Sequence, residues 1–104
     1  MDNDALEKEI EEKGLTAPRV SLQSLKDKIK STEYLEHKTR SGRILRWAIL
    51  ELENGFIAVG DPSISVSPEN DDREIGERVA YDDSLNKLWP LEGYLLKQKL
   101  FEEQ

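Results

Sequence analysis

Aromatic rings and cations crowd the last third of this 104-residue chain. The side chains concerned are Trp89, Tyr94, Lys87, Lys97 and Arg78. Rings stack on flat bases, cations attract phosphates, and amides hydrogen-bond to a ribose or a base. Such a combination of side chains suits nucleotide binding, and it predicts a ligand-binding site rather than a catalytic one.

Three of these residues form the preferred ligand-facing set, namely Lys87, Tyr94 and Lys97. Tyr94 and Lys97 are three positions apart, so they share a face if the segment is helical. Asn54, in an Asn-Gly pair, is the candidate amide. The alternative is structural: Trp89 and Tyr94 pin the helices to the core, and the lysines balance nearby acids at the surface.

Catalytic and metal-binding chemistry has little support in the sequence. His37 is the only histidine, it stands between charged neighbours, and the chain has no cysteine. The acidic pairs Asp71-Asp72 and Asp82-Asp83 are more typical of helix caps and a solvated face than of a cation site, which needs several converging oxygen ligands. No phosphate-binding loop or nucleophile elbow is present. We therefore expect a protein that is not an enzyme, with no metal and no cofactor.

The charge distribution favours some partners over others. The net charge is −7, yet residues 21–46 carry seven Lys and Arg against three Asp and Glu, so only this middle segment can offer a basic face. An acidic total argues against direct binding of nucleic acid along its phosphate backbone. It leaves open an alternative function, in which an acidic surface imitates nucleic acid and inhibits a host protein that handles it.

The sequence has no run of eighteen apolar residues and no signal-peptide pattern near Met1. We expect no membrane insertion and a cytoplasmic location. The length supports one domain. Residues 1–20 are predicted to form an N-terminal helix and linker, and residues 21–104 a single domain.

Hydrophobic periodicity predicts an α+β fold. Short N-terminal helices, the second over Leu22–Lys30 behind Ser21, precede a three-stranded antiparallel sheet. Its predicted strands are Thr32–Lys38, Ile44–Leu52 and Phe56–Val59. Asn54-Gly55 between two strand-like runs predicts a hairpin with a type I′ turn.

The last third is predicted to form a pair of helices. The first begins behind Asp71 or Asp72 and ends near Leu88, and Trp89-Pro90 marks a kink or restart. The second covers Leu91–Phe101, with Leu91, Tyr94 and Leu95 expected to face inward.

Two features predict self-association. Ile44–Leu50 is apolar on both faces, so we expect helices on one side of it and a subunit or second layer on the other. Gly76, Ala80 and Ser84 recur every fourth residue, and such a stripe of small side chains lets another backbone or a flat ligand come close. A homodimer or higher homo-oligomer is expected through either feature.

Four short segments between Trp47 and Leu100 resemble the gene-product-49-like family of small tailed-phage proteins. They are Asn54-Gly55-Phe56, Pro68-Glu69-Asn70, Glu74-Ile75-Gly76 and the run from Lys87 to Tyr94. The resemblance implies a phage accessory protein, and no activity can be transferred residue by residue. In size and layout the predicted fold is similar to the anti-Thoeris sponges, which sequester cyclic ADP-ribose signals at a subunit interface. This second similarity is one of architecture.

The sequence also departs from the family pattern. The family commonly has Phe after Pro-Glu-Asn where Asp71 stands, and a run of small residues where Gly60–Ile64 occurs. We expect a non-enzymatic phage protein that counters host defence by sequestering a nucleotide signal such as a cyclic ADP-ribose. The acidic inhibitor and a structural or housekeeping phage factor are the alternatives.

Overall fold

A computed structural model describes residues 3–104 of the chain. Met1 and Asp2, which belong to the predicted N-terminal segment, lie outside the described residues. In chain order the elements are α1 (Asn3–Glu12), α2 (Leu22–Asp27), β1 (Ile29–Lys38), β2 (Ile44–Leu52), β3 (Ile57–Val59), a 3₁₀ turn (Pro68–Asn70), α3 (Arg73–Leu85) and α4 (Leu88–Glu102).

The three strands form one antiparallel sheet in the order β1-β2-β3. This confirms the predicted α+β fold, with short N-terminal helices before the sheet and a helical pair after it. Two boundaries differ from the prediction. β1 begins at Ile29 instead of Thr32, because Ile29 pairs with Leu52 across the sheet. The chain must be extended there, so α2 ends at Asp27 rather than Lys30.

The two hairpin loops share one geometry, and it corrects the predicted turn type. Gly42 has a φ of +90° and Gly55 a φ of +89°. At the second loop the Gly55 N–H donates to the Leu52 carbonyl, and the Leu52 N–H donates to the Phe56 carbonyl. Among residues 3–104 only glycines have a positive φ. A type I′ turn also needs a positive φ at Asn54, so that prediction is wrong; the pattern fits a type I turn followed by a glycine bulge.

The core lies between one face of the sheet and the helices. It consists of Leu22, Leu25, Leu50, Leu52, Ala58, Leu85 and Leu88, with Trp89 and Tyr81 packed against its edge. These residues come from α2, β2, β3, α3 and α4. A single small core therefore joins α2, the sheet, α3 and the start of α4.

Helix α3 packs closely on the sheet through its stripe of small residues. Ala80 and Ser84 are fully buried. The Ser84 hydroxyl donates to the Ala48 carbonyl at 2.6 Å and accepts from the Gly60 N–H at 2.8 Å. The stripe therefore contacts the sheet of its own chain. Our prediction that it forms a subunit interface is wrong.

Helix α4 begins at Leu88, and Pro90 lies in its first turn, where a missing N–H costs little. Leu88 is the only buried residue of this helix. The predicted inward orientation of Leu91, Tyr94 and Leu95 is wrong, since all three are exposed. Leu88 packs in the core, whereas Leu91, Tyr94 and Leu95 in the following turns stay exposed.

The second face of the sheet is apolar and uncovered. Trp47 and Ile49 lie on this face of β2, half-buried. Trp47 pairs with Leu35 of β1, and Ile49 pairs with Val59 of β3 and with Glu33 of β1. These three partners are exposed, and Glu33 is the charged member of the face. The prediction that β2 is apolar on both sides is confirmed. Within residues 3–104 the outer side keeps Leu35 and Val59 exposed.

Candidate ligand-binding site

A cavity of about 290 Å³ lies between the β2–β3 hairpin and helix α4. We call it the hairpin cavity, and its lining consists of Leu52, Asn54, Phe56, Leu88, Leu91, Glu92, Tyr94 and Leu95. Four leucines form its apolar floor. Phe56 and Tyr94 are 47% and 67% exposed, so both rings remain accessible to a ligand.

The hairpin fixes the position of the amide. Gly55 closes the loop, and the Asn54 Oδ1 accepts a hydrogen bond from the Phe56 N–H at 2.9 Å. This bond holds Asn54 at the tip of the loop and directs the chain into β3. The cavity therefore combines two rings, an anchored amide and an apolar floor, which suits a flat heteroaromatic group.

A second cavity, of about 280 Å³, lies on the other side of Glu92 and Leu95. We call it the basic cavity, and its lining consists of Arg19, Val20, Ser24, Lys28, Glu92, Leu95, Leu96 and Lys99. Lys28 forms an ion pair with Glu92. Since both cavities are lined by Glu92 and Leu95, they are neighbours along helix α4.

A third, mostly apolar hollow, of about 440 Å³, lies between α1 and Trp89. The Arg19 guanidinium at its rim forms two hydrogen bonds with the Glu7 carboxylate, at 2.9 and 2.8 Å. The Arg19 hydrogen bond lowers the pKa of Glu7, and the Leu22 N–H contributes in the same direction. Glu7 therefore ties α1 to the linker and to the start of α2.

A buried arginine joins the sheet to the start of α3. Arg46 on β2 is only 5% exposed. Its guanidinium binds both carboxylate oxygens of Asp71, at 2.7 and 3.0 Å. This hydrogen-bonded pair raises the pKa of Arg46 and lowers that of Asp71. Gly76 leaves room for the arginine, because a Cβ there would lie 2.9 Å from the Arg46 Nη1.

Comparison with protein families gives one match that covers most of the chain. The phage protein family described as N4 Gp49/phage Sf6 gene 66 matches residues 20–100. This chain belongs to that family. It is therefore a phage accessory protein, as the resemblance of its four short segments implies. Comparison with curated proteins gave no match, and neither did comparison with solved structures.

In this phage protein the four segments have distinct structural positions. Asn54-Gly55-Phe56 builds the hairpin tip and one wall of the hairpin cavity. Glu74-Ile75-Gly76 opens α3 and places Gly76 against Arg46. The run from Lys87 to Tyr94 opens α4 and supplies the opposite wall of the hairpin cavity.

The loop between these segments carries the departure at Asp71. The side chain that stands in place of the family's common Phe is the bidentate partner of Arg46. At this position the chain therefore has a carboxylate for an ion pair with the sheet, and no ring for stacking on a ligand.

The structure brings together two of the six predicted ligand residues. Asn54 and Tyr94 line the hairpin cavity from opposite walls. Trp89 packs against the core edge and lines the hollow beside α1 instead. The remaining three, Lys87, Lys97 and Arg78, are exposed and are absent from the described lining of the hairpin cavity.

Sequence reasoning counted Phe56 among the available rings but left it out of the predicted ligand residues, and it missed Lys28, Arg19 and Lys99 as a cluster. The basic excess of residues 21–46, which includes Lys28, was the available signal. It could not show which cations of distant segments meet.

Within residues 3–104 no group of His, Cys, Asp or Glu side chains is arranged to hold a metal ion. No helix in the same part of the chain is long and apolar enough to cross a membrane.

Proposed function

We propose that this phage accessory protein counters host defence by binding and sequestering a nucleotide signal, such as a cyclic ADP-ribose. The observation that carries the proposal is the hairpin cavity, in which Asn54, Phe56 and Tyr94 meet over an apolar floor. A purine stacked between the two rings leaves its edge toward the amide. This arrangement matches a base more closely than a sugar or a peptide.

The proposed activity is binding without turnover. The lining of the hairpin cavity contains one carboxylate, Glu92, which pairs with Lys28. His37 lies on β1 and is exposed, away from this lining. A nucleophile with an adjacent base is the usual requirement for covalent catalysis, and these described side chains offer none.

We further propose that the protein is a homodimer or higher homo-oligomer that acts in the cytoplasm of the bacterial host. The uncovered sheet face around Trp47 and Ile49 supports self-association, because contiguous exposed apolar surface is typical of interfaces. The host cytoplasm is where a nucleotide alarm signal would have to be intercepted.

The test is to incubate the purified protein with lysate from cells producing the defence signal, remove unbound material and heat the complex. Mass spectrometry of the released fraction should identify an intact nucleotide. Release of nothing but buffer components would reject the proposal and favour a structural or housekeeping role.

A charge-neutralised variant separates sequestration from acidic mimicry. The residues to neutralise together are Asp82, Asp83, Glu102 and Glu103. A sponge should keep its anti-defence activity, because these acids are absent from the described lining of the hairpin cavity. An acidic inhibitor should lose activity stepwise as its contacts are removed.

A further inference from the structure

The basic cavity is lined by more cations than carboxylates, although the chain as a whole has a net charge of −7. Its charged lining consists of three cations, Arg19, Lys28 and Lys99, and one carboxylate, Glu92. A concave site with an excess of one sign of charge concentrates ions of the opposite sign. Because Arg19 is paired with Glu7 and Lys28 with Glu92, Lys99 supplies the positive charge that is left unpaired in the described part of the chain and that favours an anion here.

The three cations come from separate parts of the chain. Arg19 belongs to the linker after α1, Lys28 follows α2, and Lys99 lies in the last turn of α4. Arg19 is held in place by its two hydrogen bonds to Glu7. Lys99 has no ion-pair partner within residues 3–104, so its charge is available to a ligand.

The basic cavity also continues the hairpin cavity. Glu92 and Leu95 line both, and they are three positions apart on one face of α4. A ligand with its flat group between Phe56 and Tyr94 can pass over Leu95 to reach the cations. A nucleoside diphosphate has this composition, with a base at one end, charged phosphates at the other and a ribose between them.

We propose that the basic cavity binds the phosphates of the nucleotide whose base occupies the hairpin cavity, with Lys28 and Lys99 as the principal phosphate ligands. This inference rests on the proposed function and changes its residue assignment. It gives the phosphate contacts to Lys28 and Lys99 in place of Lys87 and Lys97.

Helix geometry supplies a matched control. Lys97 and Lys99 are two positions apart on α4, which places them about 200° apart around the helix axis. Lys99 lies four positions after Leu95 and seven after Glu92, on the side of the basic cavity. Lys97 points away from that side. The two alanine substitutions remove the same charge from the same helix on nearly opposite faces.

The experiment is titration calorimetry of the full chain with three probes: adenosine diphosphate, adenosine and inorganic pyrophosphate. Lys28→Ala and Lys99→Ala should each weaken diphosphate and pyrophosphate binding about tenfold, the usual effect of losing one charge-assisted hydrogen bond. Adenosine binding should stay within about twofold, because it has no phosphate. Lys97→Ala should bind all three probes like the wild type.

Glu92→Gln tests the same site by an expected increase in affinity, whereas the lysine substitutions should decrease it. Removing the carboxylate frees Lys28 and removes a repulsive charge, so pyrophosphate should bind about threefold tighter. A merely structural role for Glu92 would not tighten binding. Thermal unfolding and circular dichroism of each variant check that the fold is intact.

The outcomes separate this inference from the proposed function. If diphosphate binds the wild type and all three lysine variants equally, the phosphate assignment is wrong and sequestration stands. If Lys97→Ala alone weakens binding, the phosphates lie on the other face of α4, and the inference is again wrong. If pyrophosphate binds through Lys28 and Lys99 but adenosine diphosphate binds no more tightly than pyrophosphate, the anion site stands and its link to a base in the hairpin cavity is wrong. Absence of binding by all three probes rejects the inference, whereas the lysate experiment decides the proposed function separately.

Discussion

Two glycines of this chain have opposite surroundings. A Cβ built on Gly60 would lie 2.5 Å from the Asp83 carbonyl carbon and 2.7 Å from the Ser84 nitrogen. These are backbone atoms of α3, which cannot move aside as a side chain can. A Cβ on Gly93, in α4, would meet no atom within 4 Å. Gly60 is thus required by the close approach of helix and sheet, and Gly93 is not.

We expect Gly60→Ala to lower the free energy of unfolding by about 3 kcal/mol, because α3 must shift away from the sheet. Gly93→Ala should raise it by up to about 1 kcal/mol, since alanine is the better helix former. Urea unfolding followed by circular dichroism measures both. Equal effects of the two substitutions would contradict the packing described for α3.

The Arg46–Asp71 pair predicts a pH dependence of stability. Arg46 holds the pKa of Asp71 below its usual 3.8 in the folded protein. A carboxyl whose pKa is lower in the folded than in the unfolded state stabilises the fold above the unfolded value. That contribution is lost as the pH falls through the folded value.

Asp71→Asn should therefore destabilise the protein at neutral pH, and the difference from the wild type should shrink as the pH falls below 3.8, the usual pKa of the carboxyl. Urea midpoints of both proteins across this range measure the effect. A difference that is the same at neutral and acid pH would mean that the Asp71 charge has no stabilising role.

At the scale of single residues, the sequence identified part of the candidate site. Asn54 and Tyr94 were predictable because an Asn-Gly turn and a glycine-flanked ring are local signals. The residues that surround Tyr94 in the structure were not predictable. Whether Lys97 or Lys99 faces a cavity depends on which side of α4 meets the linker and α2, and those contacts join residues far apart in the chain.

Among the secondary-structure elements, the packing of α3 can be tested most sharply, because its stripe of small residues contacts the sheet. Ala80→Leu should overpack the contact with β2 and cost about 2 kcal/mol of stability, without changing the association state. Val79→Leu is the control, because Val79 is exposed and its substitution should stay within about 0.5 kcal/mol. Dissociation of an oligomer by Ala80→Leu with unchanged stability would restore the stripe as a subunit interface.

The elements themselves were largely predictable, and their orientation was not. β2 was located because its continuous apolar run and the flanking turns are encoded locally, and Asp72 caps α3 with its carboxylate as expected. The inward face of α4 could not be chosen from sequence. Leu91, Tyr94 and Leu95 lie on one side of this helix, and a second apolar group, Trp89, Leu96 and Leu100, lies on another, so its pattern favours no single side. The packing of Leu88 determines which side of α4 faces the core.

For the molecule as a whole, the uncovered sheet face predicts assembly. Light scattering at micromolar concentration should give a mass of at least twice the 12.0 kDa of one chain. Leu35→Lys, on the uncovered face of β1, should reduce it to the monomer mass. Thr32→Lys is the control, because Thr32 lies on the opposite face of the same strand.

A monomeric wild type would contradict the proposed self-association. An oligomer that persists in Leu35→Lys would place the interface elsewhere, and the exposed apolar turns of α4 are then the next surface to examine.

The central claim is that the protein holds an intact nucleotide signal in the hairpin cavity and does not consume it. The most direct measurement is calorimetric titration with pure cyclic ADP-ribose, followed by heat release and chromatographic quantification of the bound fraction. We predict saturable binding that Tyr94→Ala weakens at least tenfold, as expected for the loss of a stacking ring, with full recovery of unmodified ligand. Absence of saturable binding, equal binding by Tyr94→Ala, or recovery of a hydrolysed product would contradict it.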